Sequence, residues 1–222
     1  RMCEAAGMQV TKLRRIREGK LELGKLPLGK WRKLTEQEVA QLLDEVESGE
    51  KLSSRQQMYH ERTKVRDLAI LTLLLGTGIR VSECVGLNID DVDFQERQCK
   101  VFGKGNKERE VYFNARAKIH LQQYISQRED DNPALFVSFS SPHKRLSISG
   151  VEVRLRTLGR RINLPKIHPH KFRRTLATMA IDKGMPIEQV QRLLGHVKID
   201  TTLHYAMVNQ NNVKIAHRRY IG

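Results

Sequence analysis

The apolar positions of this chain recur mostly every three to four residues, the period of helices that bury one face. Val39, Leu42, Leu43 and Val46 keep that period, and Thr35 and Glu38 ahead of them have capping-box spacing, so the packed domain is predicted to begin near Leu34. Residues 51–57 read as a loop. A second helix is predicted from about Met58 to Leu75, stopped by Gly76 and Gly78. Its stretch Leu68 to Leu75, apolar except for Thr72, is too short to span a bilayer and reads as a buried helix. From Ile89 to Phe113 the pattern changes. Val92 with Phe94, Val101 with Phe102, and Val111 with Phe113 mark short strands, and GKGNKE is a hairpin loop between the last two. Helices follow at about 115–127 and 147–163, with a short strand at Leu135 to Ser138 between them. From Pro169 onward the reading is helical, at about 169–183, 187–195 and 200–208, with a tail from about 210. The predicted fold class is mainly α with a small antiparallel β-sheet (α+β).

Residues 1–33 stand apart. The stretch from Lys12 to Lys33 is dense in lysine and arginine and is interrupted by Gly19, Gly24, Pro27 and Gly29, which excludes a long stable helix. It reads as a basic linker, and equally as a solvated tail. Charge extends this picture to the whole chain. Lysine and arginine total 40 against 25 aspartate and glutamate, for a formal net charge of +15 over 222 residues. Such an excess favours a polyanionic partner, because neutralised phosphates release condensed counterions. Ribosomal and membrane-surface proteins share that balance. Cys3, Cys84 and Cys99 form an odd set without C-x-x-C, so neither a disulfide framework nor a zinc ribbon is expected, and the reducing cytosol is the expected compartment. No signal peptide is visible, no membrane partner is expected, and the start at Arg1 rather than Met fits a fragment or a trimmed chain.

Four segments carry the candidate chemistry. In GTGIRVSE, Arg80 follows a glycine turn at the start of a short helix, and Glu83 lies one turn on, where its carboxylate can hold the guanidinium. In GKGNKERE, Lys104 and Lys107 sit on a glycine-bearing hairpin tip without P-loop spacing. In HPHKFRR, His170 and Arg173 share a helical face, Phe172, Leu176 and Met179 supply a buried stripe, and Arg174 adds a further cation. In LLGHVKIDTTLHY, Gly195 ends a helix, His196 follows it, and Asp200, Thr201 or Thr202 caps the short helix that carries Tyr205. His204 points away from Tyr205 and receives no role. Taken singly, each segment reads equally as a surface ion pair, a solvated turn, a helix start or a half-buried aromatic. Taken together they offer a phenol nucleophile, two guanidinium groups, an ammonium and two imidazoles. A phenol is a weak nucleophile at neutral pH and needs a base or a cationic pocket. The histidines lack H-E-x-x-H spacing and acidic or cysteine co-ligands, so no metal site and no cofactor are expected.

The ordered set resembles the catalytic domain of the tyrosine recombinases, the phage-integrase family, over about residues 34–207. GTGIRVSE resembles the family's first arginine box, GKGNKERE its lysine hairpin (favouring Lys104 over Lys107), HKFR its H-x-x-R box, and LLGH followed nine residues later by Tyr205 its last box. Many members carry histidine after the second arginine, where this chain has Arg174. The resemblance implies a catalytic set of Arg80, Lys104, His170, Arg173, His196 and Tyr205, supported by Glu83, that cleaves and rejoins DNA through a 3′-phosphotyrosine without metal or nucleotide. It implies double-stranded DNA as partner, contacted also by Lys107, Arg174 and linker residues Arg14, Arg15 and Arg17, and a tetrameric synapse on that DNA. A mobile-element integrase acting in the cytoplasm at the nucleoid, with an excisionase as a further partner, is the finer expectation. Residues 1–33 would be the end of a linker from an N-terminal core-binding domain that this sequence lacks, and 208–222 a tail helix docking on a neighbouring subunit. A type IB topoisomerase-like relaxing enzyme and a catalytically inactive DNA-binding module are the alternatives.

Overall fold

The computed structural model describes residues 17–18, 21–22, 33–50, 52–103, 108–164, 167–203, 205, 217–218 and 221. The chain divides into two compact units, Arg1–Arg32 and Lys33–Gly222. In the first, β1 (Arg17–Glu18) pairs antiparallel with β2 (Leu21–Glu22). A strand pair was not expected in that glycine-interrupted stretch.

The second unit is helical around one central element. Helix α1 (Glu36–Ser48) opens on the expected capping box: Thr35 Oγ1 accepts the Glu38 N–H at 3.1 Å, and the Glu38 carboxylate accepts the Thr35 N–H at 2.9 Å. Helix α2 (Ser54–Thr77) begins earlier than expected. Ser53 caps it, with its backbone N–H bonded to Gln56 Oε1 at 3.0 Å, so most of the predicted loop at 51–57 is helix. The apolar run of α2 is buried as anticipated, with Leu71, Leu73 and Leu74 at or below 1% exposure. Against α2 pack α1, α4 (Ala115–Ser126) and α6 (Pro169–Asp182), while α5 (Ile148–Arg161) packs on α1 and on the short α3 (Val81–Gly86). Phe136, Phe172, Leu42 and Val46 complete this core; each buried large side chain contributes roughly 1.5–3 kcal/mol of transfer free energy.

The sheet is three-stranded and antiparallel in the order β3 (Val92–Asp93), β4 (Gln98–Phe102), β5 (Glu108–Tyr112). Cys99 opposes Val111 and Val101 opposes Arg109, so period-two alternation turns Cys99, Val101 and Val111 inward and leaves Lys100, Phe102 and Glu110 exposed. The connecting loop at 104–107 lies outside the described residues. The predicted strand at Leu135 to Ser138 is instead a pair of isolated bridges, Asn88 with Ala134 and Val137 with Arg145. Its amides donate to different partners, Leu135 to the Leu87 carbonyl, Val137 to the Tyr124 hydroxyl and Ser138 to the Lys144 carbonyl, so no ladder extends. Helices α7 (Ile187–Leu194) and α8 (Ile199–Leu203) finish the described fold; α7 packs on α6, and α8 on α7. Most of the predicted tail helix lies outside the described residues.

Candidate active site

Two glycine turns form the frame of the site. Helix α2 ends at Gly78 with φ 62°, and α7 ends at Gly195 with φ 64°, both in the left-handed region that glycine occupies without a Cβ penalty. Space is short as well: a Cβ on Gly78 would lie 2.7 Å from Leu176 Cδ2. Arg173 on α6 joins these turns. One Nη donates to the Gly78 carbonyl at 2.7 Å and the other to the Leu194 carbonyl. Only 3% exposed, the guanidinium meets the negative ends of two helices, which offsets its desolvation. Burial first, then the nearby Arg80 and Arg109 charges, push its pKa down to about 10 against the opposing pull of Glu83 and Tyr205, so it remains a cation at neutral pH.

Arg80 is the N-cap residue of α3, extended at φ −72° and ψ 152°. Its backbone N–H donates to Glu83 Oε2 at 2.8 Å and its Nη1 to Glu83 Oε1 at 2.8 Å, as the i,i+3 spacing allows. A further Nη2 contact reaches the Gly195 carbonyl at 3.4 Å. Glu83 is 4% exposed and also takes both Nη atoms of Arg109, on β5, at 2.7 and 2.9 Å. Burial alone would raise the carboxyl pKa, but the bonds from Arg109 and Arg80 outweigh it and hold the group below the usual carboxylate range. With Arg80, Arg109 and Arg173 gathered around a single carboxylate, the pocket keeps excess positive charge for an anion.

His196 follows Gly195, and its backbone is tied to Gln191 in both directions, at 3.1 Å and 3.0 Å. Its Nδ1 lies 2.9 Å from the buried Thr202 Oγ1, and its ring stacks on Tyr205 with centroids 5.9 Å apart and planes 30° apart. Burial, then Arg173, Arg80 and Arg109, push its pKa down to about 4, so the imidazole is neutral at pH 7. Tyr205 is half-buried against a small apolar cluster of Ala177, Val190 and Leu194. His170 stands one turn before Arg173 on α6 but is exposed; partial burial and the charges of Arg173, Arg174 and Arg80 lower its pKa. The expected shared face thus splits, Arg173 turning inward and His170 lining the rim. Phe172 is fully buried, whereas Leu176 and Met179 are half-buried.

Arg80, Glu83, His170, Arg173, His196 and Tyr205 therefore meet in one place, although they come from three separate segments of the sequence. Arg174 is half-buried on α6 beside His170. Lys104, Lys107, Arg14, Arg15 and His204 lie outside the described residues, and of Arg17 only the backbone in β1 is described. Two contributors were not recognised in the sequence. Arg109 sat in a run of charges, although its two-residue spacing from Val111 marks the inward face of a strand. Thr202 was a candidate helix cap, but it lies inside α8 and orients His196 instead. Among the described residues, no group of three or more metal-ligating side chains is present, and no helix is long and apolar enough to cross a membrane.

Comparison with known proteins places this geometry. The model of the phage integrase family matches residues 32–212. The tyrosine recombinase XerC of Pediococcus pentosaceus is 38% identical over 166 residues, covering 71% of this chain and 54% of that protein. The tyrosine recombinase XerA of Pyrococcus furiosus is 34% identical over 197 residues, covering 88% and 64%. The chain thus spans a little over half to just under two thirds of the length of these relatives. Among solved structures, a XerA recombinase superposes with a TM-score of 0.69 at 30% identity, covering 88% of this chain and 67% of that one. The Tn1549 transposon integrase, solved in complex with transposon right end DNA, shares the fold with a TM-score of 0.67 at 22% identity, covering 86% and 66%. With the family model spanning nearly all of the larger unit, the chain belongs to the phage integrase family.

Proposed function

We propose that this chain is the catalytic part of a site-specific DNA recombinase that breaks and rejoins strands through a tyrosine nucleophile. The observation that carries the reading is the convergence of Tyr205 and His196 on a protein-anchored pair of arginines, the half-buried Arg80 and the buried Arg173. In this reading Arg80 and Arg173 hold the non-bridging oxygens of a phosphodiester and offset the charge that builds as phosphorus becomes five-coordinate. The Tyr205 oxygen attacks phosphorus, its proton passing to His170, which is neutral and at the rim. The 5′ oxygen leaves with a proton supplied by Lys104, giving a 3′-phosphotyrosine. Thr202 engages His196 Nδ1 and leaves Nε2 to hydrogen-bond a phosphate oxygen. A 5′ hydroxyl then attacks the phosphotyrosine, giving its proton to Lys104, and the phosphorus–Tyr205 oxygen bond breaks as the phenol regains its proton from His170, so the diester is restored and no external energy source enters.

The net charge of +15 and the Tn1549 integrase, solved in complex with transposon right end DNA, support double-stranded DNA as the substrate. The tetrameric synapse, the docking tail, the excisionase and the mobile-element role are finer proposals that rest on the family resemblance alone. The experiment is incubation with a nicked duplex that traps the covalent product. The expected result is a protein–DNA adduct that disappears in Tyr205→Phe while duplex binding persists. Binding without an adduct from the unaltered protein would reverse the reading in favour of an inactive DNA-binding module, and supercoil relaxation without exchange between paired sites would favour the topoisomerase-like alternative.

A further inference from the structure

Arg109 does more than fill the end of a strand. Its side chain lies on the inward face of β5, with both Nη atoms on the two oxygens of Glu83 in a bidentate pair. Those same oxygens hold Arg80, one through its backbone N–H and one through its guanidinium. Beneath it is Gly195, where an added Cβ would stand 2.9 Å from Arg109 Nε and 3.0 Å from its Cδ. Arg109 thus touches the arginine box through Glu83 and the histidine turn through Gly195, and it is anchored to β4 by the pairing of its own backbone with Val101. Its strand begins at Glu108, directly after the loop that carries Lys104 and Lys107.

Charge distribution gives this contact a consequence. A buried carboxylate bonded only to Arg80 would draw that guanidinium inward and neutralise it, leaving little positive charge for a phosphate. A second guanidinium on the same carboxylate shares the attraction and restores the balance. Arginine suits the task because its planar fork spans both oxygens, which a lysine ammonium cannot do. We propose that Arg109 is a positioning residue for DNA cleavage: by sharing Glu83 with Arg80 and packing on Gly195, it sets the place and the available charge of Arg80 and ties β5 to the histidine turn. This inference deepens the recombinase reading and rests on it for its effect on cleavage, although the Arg80–Glu83–Arg109 linkage itself can be measured without activity.

The test compares Arg109→Gln, Arg109→Lys, Glu83→Gln and the double variant Arg109→Gln/Glu83→Gln. Arg109→Gln should slow adduct formation on a nicked duplex by about 100-fold, the cost of a misplacement of roughly 1 Å, with duplex affinity unchanged. Arg109→Lys should fall between it and the unaltered protein. In the double variant the carboxylate is gone, so loss of Arg109 should cost little beyond Glu83→Gln alone; independent losses that simply add would overturn the proposal. The acid limb of the rate profile should move to higher pH in Arg109→Gln, because Glu83 loses a bidentate donor and protonates more readily. Where Arg109→Gln does not fold by circular dichroism, Arg109→Lys carries the same comparison. If the unaltered protein forms no adduct, the recombinase reading fails, and the proposal is then judged by nitrogen-15 NMR of the Arg80 side chain. The Arg80 Nη1 protons, bonded to Glu83, should exchange about tenfold more slowly in Arg109→Gln than in the unaltered protein, because the carboxylate is then left to Arg80 alone. Exchange that is the same in both overturns it.

Discussion

The two halves of the site are built differently. The arginine half is anchored deep in the protein: Arg173 on two helix-terminal carbonyls, and Arg80 and Arg109 on a single buried carboxylate. The tyrosine half stands in a turn just past α8, a helix of five residues that ends at Leu203 rather than carrying Tyr205 as expected, over an apolar cluster that among the described residues has three buried side chains. Groups that stabilise developing charge gain most from being fixed before the reaction, since a preorganised site has no reorganisation to undergo. The nucleophile of the proposed reaction, which forms and then breaks a bond to DNA, has a different requirement, and Tyr205 packs only half-buried against that small cluster.

The sharpest way to break this contrast is Arg173→Ala. It should abolish adduct formation and also destabilise the fold by on the order of 3 kcal/mol, because two buried carbonyls lose their charged donor. Tyr205→Phe should abolish the adduct equally while shifting the urea unfolding free energy by less than about 1 kcal/mol. Equal stability losses in the two variants would erase the distinction between the halves. Gly195→Ala comes next, because it strikes the joint between them. A left-handed alanine costs about 1–2 kcal/mol. Its Cβ would also meet Arg109 at 2.9 Å, next to the residue that precedes His196. Cleavage should fall by about tenfold or more, since displacements of around 1 Å in such sites cost up to 100-fold.

Local signals in the sequence were enough to find the frame, and long-range pairs were not. The Thr35 and Glu38 cap, the buried run of α2, and the glycine stops before Arg80 and His196 all follow from spacing within one helical turn. The same logic, extended to Ser53 and Gln56, would have placed the start of α2 correctly. Arg109 and Glu83 are separated by 26 residues, and no periodicity links a strand residue to a helix that distant in sequence. The misread role of Thr202 has the same origin. A threonine near the start of a short helix is a sound cap by local rules, but a tertiary bond to His196 takes its hydroxyl instead. The strand expected at Leu135 to Ser138 failed for want of partners, which β-propensity does not report.

The smallest effects concern how the neutral imidazole is held. Thr202→Val removes the bond to Nδ1 and should cost about 1 kcal/mol of stability, with a modest slowing of cleavage as the His196 ring loses its fixed orientation. The pH dependence supplies the finer reading. His196 has a folded pKa pushed down to about 4 from an ordinary 6.5, by burial and then by Arg173, Arg80 and Arg109. Between those values the unfolded chain binds a proton that the folded chain refuses, so stability is full above pH 6.5 and declines as pH falls towards 4. His60, His120, His168 and His170 are also shifted down and act in the same direction, so the overall curve does not isolate one group. The difference between the unaltered protein and His196→Asn does, because only the His196 contribution is removed. Stability measured by urea unfolding should decline less steeply below pH 6.5 in His196→Asn. Parallel curves through that window would mean that His196 is solvated and accepts a proton freely, and the arginine half would then exert no grip on the residue that stacks against Tyr205.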